Sequence, residues 1–203
     1  MTPNKKHLKH LSKADPVLGK MIATLILPVR KRPKDYFWAL CRSIIGQQLS
    51  VKAAASISGR VQAFFQTKTF PTPAEFLKMP NTKLRKTGLS KSKVSYMKNL
   101  AKFVLKHNQE FKNLNKFSDE EIVNLLTQIK GIGRWTAEMF LMFNLGREDV
   151  FSHGDLGLRN AIMKIYKLRK KPSLRRATEI SNKWKPYRSI ASLYLWASLR
   201  NDK

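Results

Sequence analysis

The amino-acid sequence predicts an all-α fold. Apolar residues recur at helical spacing through most of the 203-residue chain, and no run alternates apolar with polar residues over the length of a strand. Serines precede several of the periodic segments and glycines follow others, as helix N-caps and helix stops do. Hydrophobic residues make up 42% of the chain, enough for a sizeable core.

A basic arm, residues 1–35, comes first. Its first 34 residues contain nine lysines or arginines and a single acid, Asp15. Residues 16–27 have the apolar spacing of one short amphipathic helix, which Pro28 ends because proline cannot continue a helix. We therefore expect the arm to contribute positive charge and one short helix.

The main body, residues 36–203, is divided by glycines, prolines and capping residues into a series of helices. Its first segment is apolar on nearly every face, which is typical of a buried helix. Gly88 fits a helix stop, and Ser118 with Glu121 forms a capping box that opens another helix. The predicted helices of the body span residues 36–46, 51–65, 81–86, 91–107, 118–130, 135–143, 156–166, 174–184 and 187–199.

The formal net charge of +27 indicates a polyanionic partner. Ten lysines or arginines and one acid lie between residues 164 and 188. Because aromatic residues make up 10% of the chain, this charge belongs to a folded body and not to a disordered tail. Nucleic acid is the first candidate partner, and an anionic membrane surface is the second.

Cysteine usage and hydropathy predict an intracellular protein, in the cytoplasm or nucleoid of a bacterium or in the nucleus of a eukaryote. The lone Cys41 excludes a disulfide framework and a four-cysteine metal site. The longest apolar stretch, residues 21–29, is too short to span a bilayer, and no apolar signal core follows the N-terminus. The basic run at residues 30–34 is only a weak nuclear-import signal in so basic a chain.

Residues 118–144 have the pattern of two helices joined by a glycine turn, Gly131-Ile132-Gly133. Glycines permit positive φ and leave backbone N–H groups uncovered at the start of the second helix, where they suit a phosphate and read no base sequence. On the glycines alone, a plain helical hairpin is the simpler interpretation. The flanking Ile129 and Ile132, together with the charge of +27, favour a phosphate-binding hairpin.

Asp155 opens a predicted helix 22 positions after Gly133. An aspartate in this position is usually only an N-cap. One helix and one loop separate it from the hairpin, however, which is enough chain to bring its carboxylate back near the glycine turn. Asp155 is therefore also a candidate catalytic group, and Asp149 is the competing acid, which we expect at the surface.

Two adjacent amides, Gln47 and Gln48, follow the first buried helix of the body at Gly46. Unpaired amides are costly in a core, so these residues are either solvated loop residues or a polar plug for the gap that a displaced base leaves.

Four tryptophans are spread along the chain. Aromatic residues at helical spacing usually belong to the core. Trp135, directly after the glycine turn, and Trp196, on the last helix, are the best candidates for lining a pocket.

Five blocks of sequence, in the same order, resemble the helix-hairpin-helix DNA glycosylases, and among them the 3-methyladenine DNA glycosylase II group. The resemblance covers about residues 36–200. The blocks are IIGQQLSVKAAASI, LRKTGLSKSKVSYMKNLA, LTQIKGIGRWTAEMFLMF, DVFSHGDLGLRNAI and WKPYRSIASLYLW. This resemblance implies a two-lobed, all-α glycosylase fold with interleaved lobes, a helix-hairpin-helix motif and an active site in the cleft between the lobes.

The resemblance also implies roles for individual residues. Asp155 matches the catalytic aspartate of the family, and Gln48 matches the wedge that enters the duplex where the target nucleotide has left. Trp135 stands where bifunctional relatives carry a catalytic lysine, so this chain has no amine there to form a Schiff base with the sugar. Trp196 matches a pocket tryptophan of the alkylpurine group, and Met139 stands where some relatives carry a pocket aromatic.

The full set of candidate residues is divided by role. Asp155 is the candidate catalytic residue. The candidate substrate-binding residues are Trp135, Trp196, Trp38 and Met139, and the candidate DNA-binding residues are Gln47, Gln48, Gly131, Ile132, Gly133, Arg134 and Thr136. The resemblance implies that the hairpin can hold Na⁺ or K⁺ through backbone carbonyls, here those of Ile129 and Ile132. We expect no side-chain metal site and no small-molecule cofactor.

The predicted function is that of a monofunctional DNA glycosylase in base-excision repair. After base flipping, it hydrolyses the N-glycosidic bond of alkylated purines of the 3-methyladenine and 7-methylguanine type, acting on double-stranded DNA as a monomer. Two alternatives remain at this point. A non-catalytic helix-hairpin-helix DNA-binding module leaves Asp155 and the glutamine pair without a role. A glycosylase for oxidised or deaminated bases is disfavoured by Trp135 at the lysine position.

Overall fold

The computed structural model describes residues 2–29, 35–65 and 70–199, and this part of the chain consists of helices and loops with no strand. The helices are α1 (Lys5–Ala14), α2 (Pro16–Thr24), α3 (Tyr36–Gly46), α4 (Val51–Phe64), α5 (Pro73–Lys78), α6 (Asn81–Lys86), α7 (Lys91–Lys106), α8 (Asn108–Lys112), α9 (Asp119–Thr127), α10 (Arg134–Phe140), α11 (Leu156–Ile165), α12 (Leu174–Asn182) and α13 (Arg188–Ser198). A 3₁₀ turn covers Leu114–Lys116, and a π-helical segment, Leu141–Leu145, continues from α10. The basic run at residues 30–34 lies outside the described residues.

The chain divides into two compact units, which confirms the two-lobed, all-α prediction. One unit combines Met1–Arg32 with Leu141–Lys203, and we call it the terminal unit. The other, Pro33–Phe140, is the central unit. The chain therefore leaves the terminal unit after α2 and returns to it after α10.

The core of the central unit forms around α3, which packs against α4, α7 and α10. Leu40, Ile44 and Ile45 on α3 have no solvent-exposed surface, as expected from its nearly continuous apolar sequence. Phe76 on α5 is equally buried, and α5 packs along α7. This core supports the loop that follows α3 and the hairpin of α9 and α10.

In the terminal unit, α1 packs against α2, α2 contacts α13, and α11 also packs against α13. The predicted helix over residues 16–27 is confirmed as α2, although it ends at Thr24. Sequence reasoning missed α1, whose His7 and Leu11 are buried. His7 lies against the ring of Tyr187, with centroids 4.6 Å apart, so an imidazole provides packing that apolar periodicity does not reveal.

Asp15 links α2 to the C-terminal part of this unit. It caps α2 by accepting the N–H groups of Val17 and Leu18, at 3.1 and 3.3 Å. Its other oxygen accepts the indole N–H of Trp184 at 2.9 Å and the hydroxyl of Tyr166. The carboxylate is 2% exposed, and these donors satisfy it in place of water.

Candidate functional site

The hairpin in the central unit consists of two helices, α9 and α10, joined by a glycine turn, as the sequence predicts. Its first helix, α9, begins with a reciprocal capping box: the backbone N–H of Ser118 donates to Glu121 at 2.7 Å, and the N–H of Glu121 donates to Ser118 at 3.3 Å. Hydrogen bonds from Ser118 lower the pKa of Glu121. The turn itself is closed by the N–H of Ile132, which donates to the carbonyl of Ile129 at 2.9 Å.

The two glycines of the turn serve different purposes. Gly131 has φ +101°, and a Cβ there would lie 2.4 Å from the ring of Tyr96, so both its backbone conformation and its surroundings require glycine. Gly133 is exposed, and a Cβ there would meet no atom within 4 Å. The backbone at Gly133 is therefore open to close approach by a ligand from solvent.

The other candidate DNA-binding residues of the hairpin lie in different surroundings. Ile132 and Thr136 are buried, so their side chains pack in the central unit. Arg134 donates to both oxygens of Glu120, at 3.0 and 2.9 Å, and to Glu138 at 3.1 Å. This ion pair lowers the pKa of Glu120 and joins α10 to α9. The guanidinium thus already serves the hairpin itself.

The loop after α3 separates the roles of its two glutamines. Gln48 is exposed and has φ +57°, a left-handed conformation that costs a non-glycine residue about 1–2 kcal/mol. Gln47 is half-buried, and its amide donates to the carbonyl of Gly131 at 2.8 Å. Gln48 is therefore presented to solvent, while Gln47 attaches the loop to the hairpin turn.

Asp155 lies in the terminal unit at the start of α11, where it is only 8% exposed. Its Oδ1 accepts the N–H of Leu158 at 2.8 Å, which makes it the N-cap of the helix, and also the indole N–H of Trp196 at 3.1 Å. The helix cap alone does not require a tryptophan donor. The second bond fixes the orientation of the carboxylate against an aromatic side chain.

Trp196, Phe143 and Gly157 form the surroundings of this carboxylate. Trp196 is half-buried, and its ring lies 6.0 Å from that of Phe143. A Cβ on Gly157 would lie 3.1 Å from Oδ1 of Asp155 and 3.3 Å from the indole of Trp196. Glycine therefore leaves the space in which the carboxylate and the indole meet. Sequence reasoning missed Phe143, because an aromatic residue in an apolar run is indistinguishable from core.

The remaining candidate substrate-binding residues are all in the central unit. Trp135 is 51% exposed at the start of α10, so its ring presents a large aromatic surface. Met139, one turn later, is half-buried. Trp38 is buried in α3 and stacks on Phe70 with centroids 5.7 Å apart, an arrangement that favours packing over ligand binding.

The competing acid, Asp149, is half-buried and not simply a surface residue. It accepts two hydrogen bonds from the guanidinium of Arg188, at 2.7 and 3.0 Å, and one from the backbone N–H of the same residue. Its carbonyl accepts a fourth bond from that guanidinium at 2.8 Å. This compact pair anchors the start of α13, so Asp149 has a structural role that accounts for its position.

Within the described ranges, no group of three or more histidine, cysteine, aspartate or glutamate side chains could hold a metal ion. Backbone oxygens are the other possible ligands, and they suit Na⁺ or K⁺. In the hairpin, the Ile129 carbonyl accepts the Ile132 N–H and keeps a second lone pair. Among the described residues, no helix is both long enough and apolar enough to cross a membrane.

A paired-helix hairpin with an open glycine turn, in a two-unit helical chain, defines a helix-hairpin-helix protein. Residues 41–186 match the family model of the HhH-GPD superfamily of base excision DNA repair proteins. The chain belongs to this superfamily.

Three matches, one by sequence and two by structure, show how far the similarity extends. The chain is 34% identical to DNA-3-methyladenine glycosylase 1 of Schizosaccharomyces pombe over 97% of its own length and 86% of that protein. The crystal structure of a DNA-3-methyladenine glycosidase from Bacillus halodurans superposes with a TM-score of 0.87 at 31% identity, covering 100% of this chain and 94% of the other. A structure of the S. pombe 3-methyladenine DNA glycosylase in complex with abasic DNA gives a TM-score of 0.80 at 33% identity and 97% coverage of both chains.

Proposed function

We propose that this protein is a monofunctional DNA glycosylase that removes alkylated purines from double-stranded DNA. The observation that carries the proposal is the Asp155 carboxylate, held by the indole of Trp196 and bordered by the space at Gly157. Similarity to proteins named for 3-methyladenine supports the substrate class. The bound abasic DNA of one relative supports DNA as the partner.

The reaction begins with capture of the duplex and extrusion of the damaged nucleotide. The exposed backbone at Gly133 receives a DNA phosphate, a contact that needs no base sequence. Unstacking the target nucleotide costs a few kcal/mol, and a side chain that fills the vacated space offsets part of that cost. Gln48 is exposed and has a left-handed backbone conformation, which suits it to this filling role.

Alkylation of a purine nitrogen makes the base cationic, and the aromatic surfaces recognise that charge. A cation over an aromatic face gains about 0.5–2 kcal/mol. Trp135 is half-exposed, and Trp196 is accessible in part, so each offers such a face. A cationic purine is also a good leaving group, because the electrons of the broken bond neutralise it. Little protonation by the protein is then needed.

Asp155 acts on the sugar that the base leaves behind. As the bond from C1′ to the purine nitrogen breaks, positive charge develops on C1′ and the ring oxygen, and a fixed carboxylate stabilises that charge. Water then forms a bond to C1′ and releases a proton, which Asp155 accepts as general base. The Trp196 indole keeps the carboxylate oriented throughout.

The product is an intact strand with an abasic site. Strand cleavage by glycosylases of this family uses an amine that forms a Schiff base with the sugar, and Trp135 has no amine. The carbonyls of Ile129 and Ile132 would hold a Na⁺ or K⁺ ion, which would stabilise the turn electrostatically near a phosphate. We further propose that the protein acts as an intracellular monomer.

The test is release of methylated purines by the wild type and by Asp155→Asn. We expect the variant to lose release while its affinity for duplex DNA stays near that of the wild type. Asp149→Asn makes the same change in the other candidate acid. It weakens the ion pair with Arg188 and so lowers stability, but below its unfolding temperature it should retain release. If Asp155→Asn releases methylpurines at the wild-type rate, the catalytic assignment is wrong.

Product analysis separates this function from its alternatives. DNA carrying 3-methyladenine, 7-methylguanine, hypoxanthine or uracil is incubated with the protein and then treated with alkali, which cleaves abasic sites. We expect cleavage mainly at the two methylated purines and only after alkali. No cleavage at any lesion would indicate a DNA-binding module, and release of hypoxanthine or uracil alone would indicate a glycosylase for deaminated bases.

A further inference from the structure

Lys93 is a half-buried lysine on α7 whose ammonium group binds backbone carbonyls at the C-terminal end of helix α3. It donates to the carbonyl of Ile45 at 2.9 Å and to the carbonyl of Gln47 at 2.8 Å. Carbonyls at a helix C-terminus have no partner within the helix and carry partial negative charge, so an ammonium group is well matched to them. The sequence resemblance assigns no role to this residue.

The same face of α7 also reaches the hairpin. Tyr96, nearly one turn after Lys93, has its ring against Gly131, where it leaves no room for a side chain. Gln47 completes the connection, since its amide donates to the Gly131 carbonyl at 2.8 Å. We call Gln47-Gln48-Leu49 the wedge loop. Lys93 and Tyr96 thus contact the wedge loop and the hairpin turn from one rigid helix.

We propose that Lys93 is a positioning residue, which holds the wedge loop at a fixed place relative to the hairpin turn so that Gln48 can enter the duplex. Gln48 occupies a left-handed conformation that glutamine does not favour, so neighbouring contacts must maintain it. Lys93 fixes the carbonyl of the residue just before it. The hydrogen bond from Gln47 to Gly131 then transmits that position to the turn.

The ammonium group is held partly away from water. Burial lowers the pKa of Lys93, because leaving water disfavours the charged form. Methionine has a similar length and no donor, so Lys93→Met removes the two hydrogen bonds while keeping most of the packing. Arginine keeps the donors on a larger group, so Lys93→Arg should restore part of the function.

The chain contains a matched control on the same helix. Lys98 donates in the same way to two carbonyls, those of Leu77 at 3.0 Å and Met79 at 2.8 Å, at the end of α5. Lys98→Met therefore removes the same kind of interaction from a segment that is neither the wedge loop nor the hairpin. A general loss of stability should be common to both variants, whereas a positioning role should appear only in Lys93→Met.

The first experiment follows release of 7-methylguanine under single-turnover conditions at saturating enzyme, from two duplexes. One has cytosine opposite the lesion. The other has an abasic analogue there, so the lesion has no pairing partner and flipping has no base pair to break. We expect Lys93→Met to slow release from the paired lesion by about tenfold, the effect of losing a charge-assisted hydrogen bond, and to leave the unpaired lesion nearly unaffected. Lys98→Met should change neither rate. Equal slowing on both duplexes, or equal effects of the two variants, would overturn the proposal.

The second experiment does not depend on catalysis, and so separates this proposal from the proposed function on which it rests. A 2-aminopurine beside an abasic analogue brightens when a side chain enters the duplex and unstacks it. At saturating protein, we expect a smaller rise with Lys93→Met than with the wild type or Lys98→Met, and partial recovery with Lys93→Arg. A full rise with Lys93→Met would contradict the positioning role even if the wild type released no base.

Discussion

The indole nitrogen of Trp196 lies 3.1 Å from Oδ1 of Asp155, and the indole nitrogen of Trp184 lies 2.9 Å from Oδ2 of Asp15. Each aspartate is also the N-cap of a helix in the terminal unit. The two pairs differ in their surroundings, since Trp184 is fully buried and Trp196 is half-buried. The same local chemistry therefore lies within the core at Asp15, whereas at Asp155 the tryptophan partner is partly exposed to solvent.

Trp196→Phe should separate orientation of the carboxylate from stacking on the base. Phenylalanine keeps an aromatic face but has no N–H donor for Asp155. A hydrogen bond to a charged group contributes about 1.5–3 kcal/mol, so we expect single-turnover release of 7-methylguanine to fall by about 10- to 100-fold. Affinity for duplex DNA should change little. An unchanged rate would mean that the indole N–H does not orient the catalytic group.

Gly157→Ala tests whether the space between Asp155 and Trp196 is needed. The new methyl group would lie 3.1 Å from Oδ1 of Asp155, so the carboxylate must shift. Because this carboxylate is both the N-cap of the helix and the proposed catalytic group, we expect the variant to release base about tenfold more slowly than the wild type. Gly154→Ala is the control, because a Cβ there meets no atom within 4 Å. Equal rates for the two variants would rule out this role of Gly157.

Local signals in the sequence were sufficient to predict the helices and the hairpin. The capping box of Ser118 with Glu121 and the glycine stop at Gly88 depend on residues three or fewer positions apart, and the structure confirms both. The first hairpin helix is predicted to reach Lys130 but ends at Thr127, because the end of a helix depends on the turn that follows it.

Contacts between distant residues account for what the sequence did not reveal. The hydrogen bond from Gln47 to Gly131 spans 84 positions, and the bond from Trp184 to Asp15 spans 169. No local pattern distinguishes Gln47 from Gln48 or identifies Lys93, because their roles follow from the packing of α7 against two loops. Arg134 is the intermediate case, since its partner Glu120 lies directly across a hairpin that the sequence did predict.

Trp135→Ala should weaken recognition of cationic bases more than neutral ones. The side chain is half-exposed, so its loss should cost little stability. If its ring contacts the alkylated base, the lost cation–π interaction lowers release of 7-methylguanine by about 2- to 30-fold. Any residual release of the neutral base hypoxanthine should fall less. Equal losses for both bases would indicate that Trp135 contributes general packing and not charge recognition.

Tyr166→Phe should alter the stability of the protein in alkali. Burial, and then the hydrogen bond to Asp15, raises the pKa of Tyr166 above its ordinary value of 10.0. The folded state thus keeps a proton that the unfolded chain releases, so this stabilisation is complete below about pH 10 and is lost as the pH rises above it. Urea unfolding between pH 8 and 11 should show a smaller decline in the unfolding free energy for Tyr166→Phe than for the wild type. Parallel declines would contradict the assignment.

Gly131→Ala should reduce the stability of the protein, whereas Gly133→Ala should reduce its affinity for DNA. Gly131 has a positive φ and a tyrosine ring where the methyl group would lie, so its replacement should reduce the unfolding free energy by at least about 2 kcal/mol. The methyl group at Gly133 has open space, so that variant should unfold like the wild type. It would nevertheless stand between the backbone and a DNA phosphate, and we expect affinity for an undamaged duplex to fall about tenfold. Wild-type affinity in Gly133→Ala, measured by fluorescence anisotropy at fixed salt, would show that the phosphate is held elsewhere on the protein.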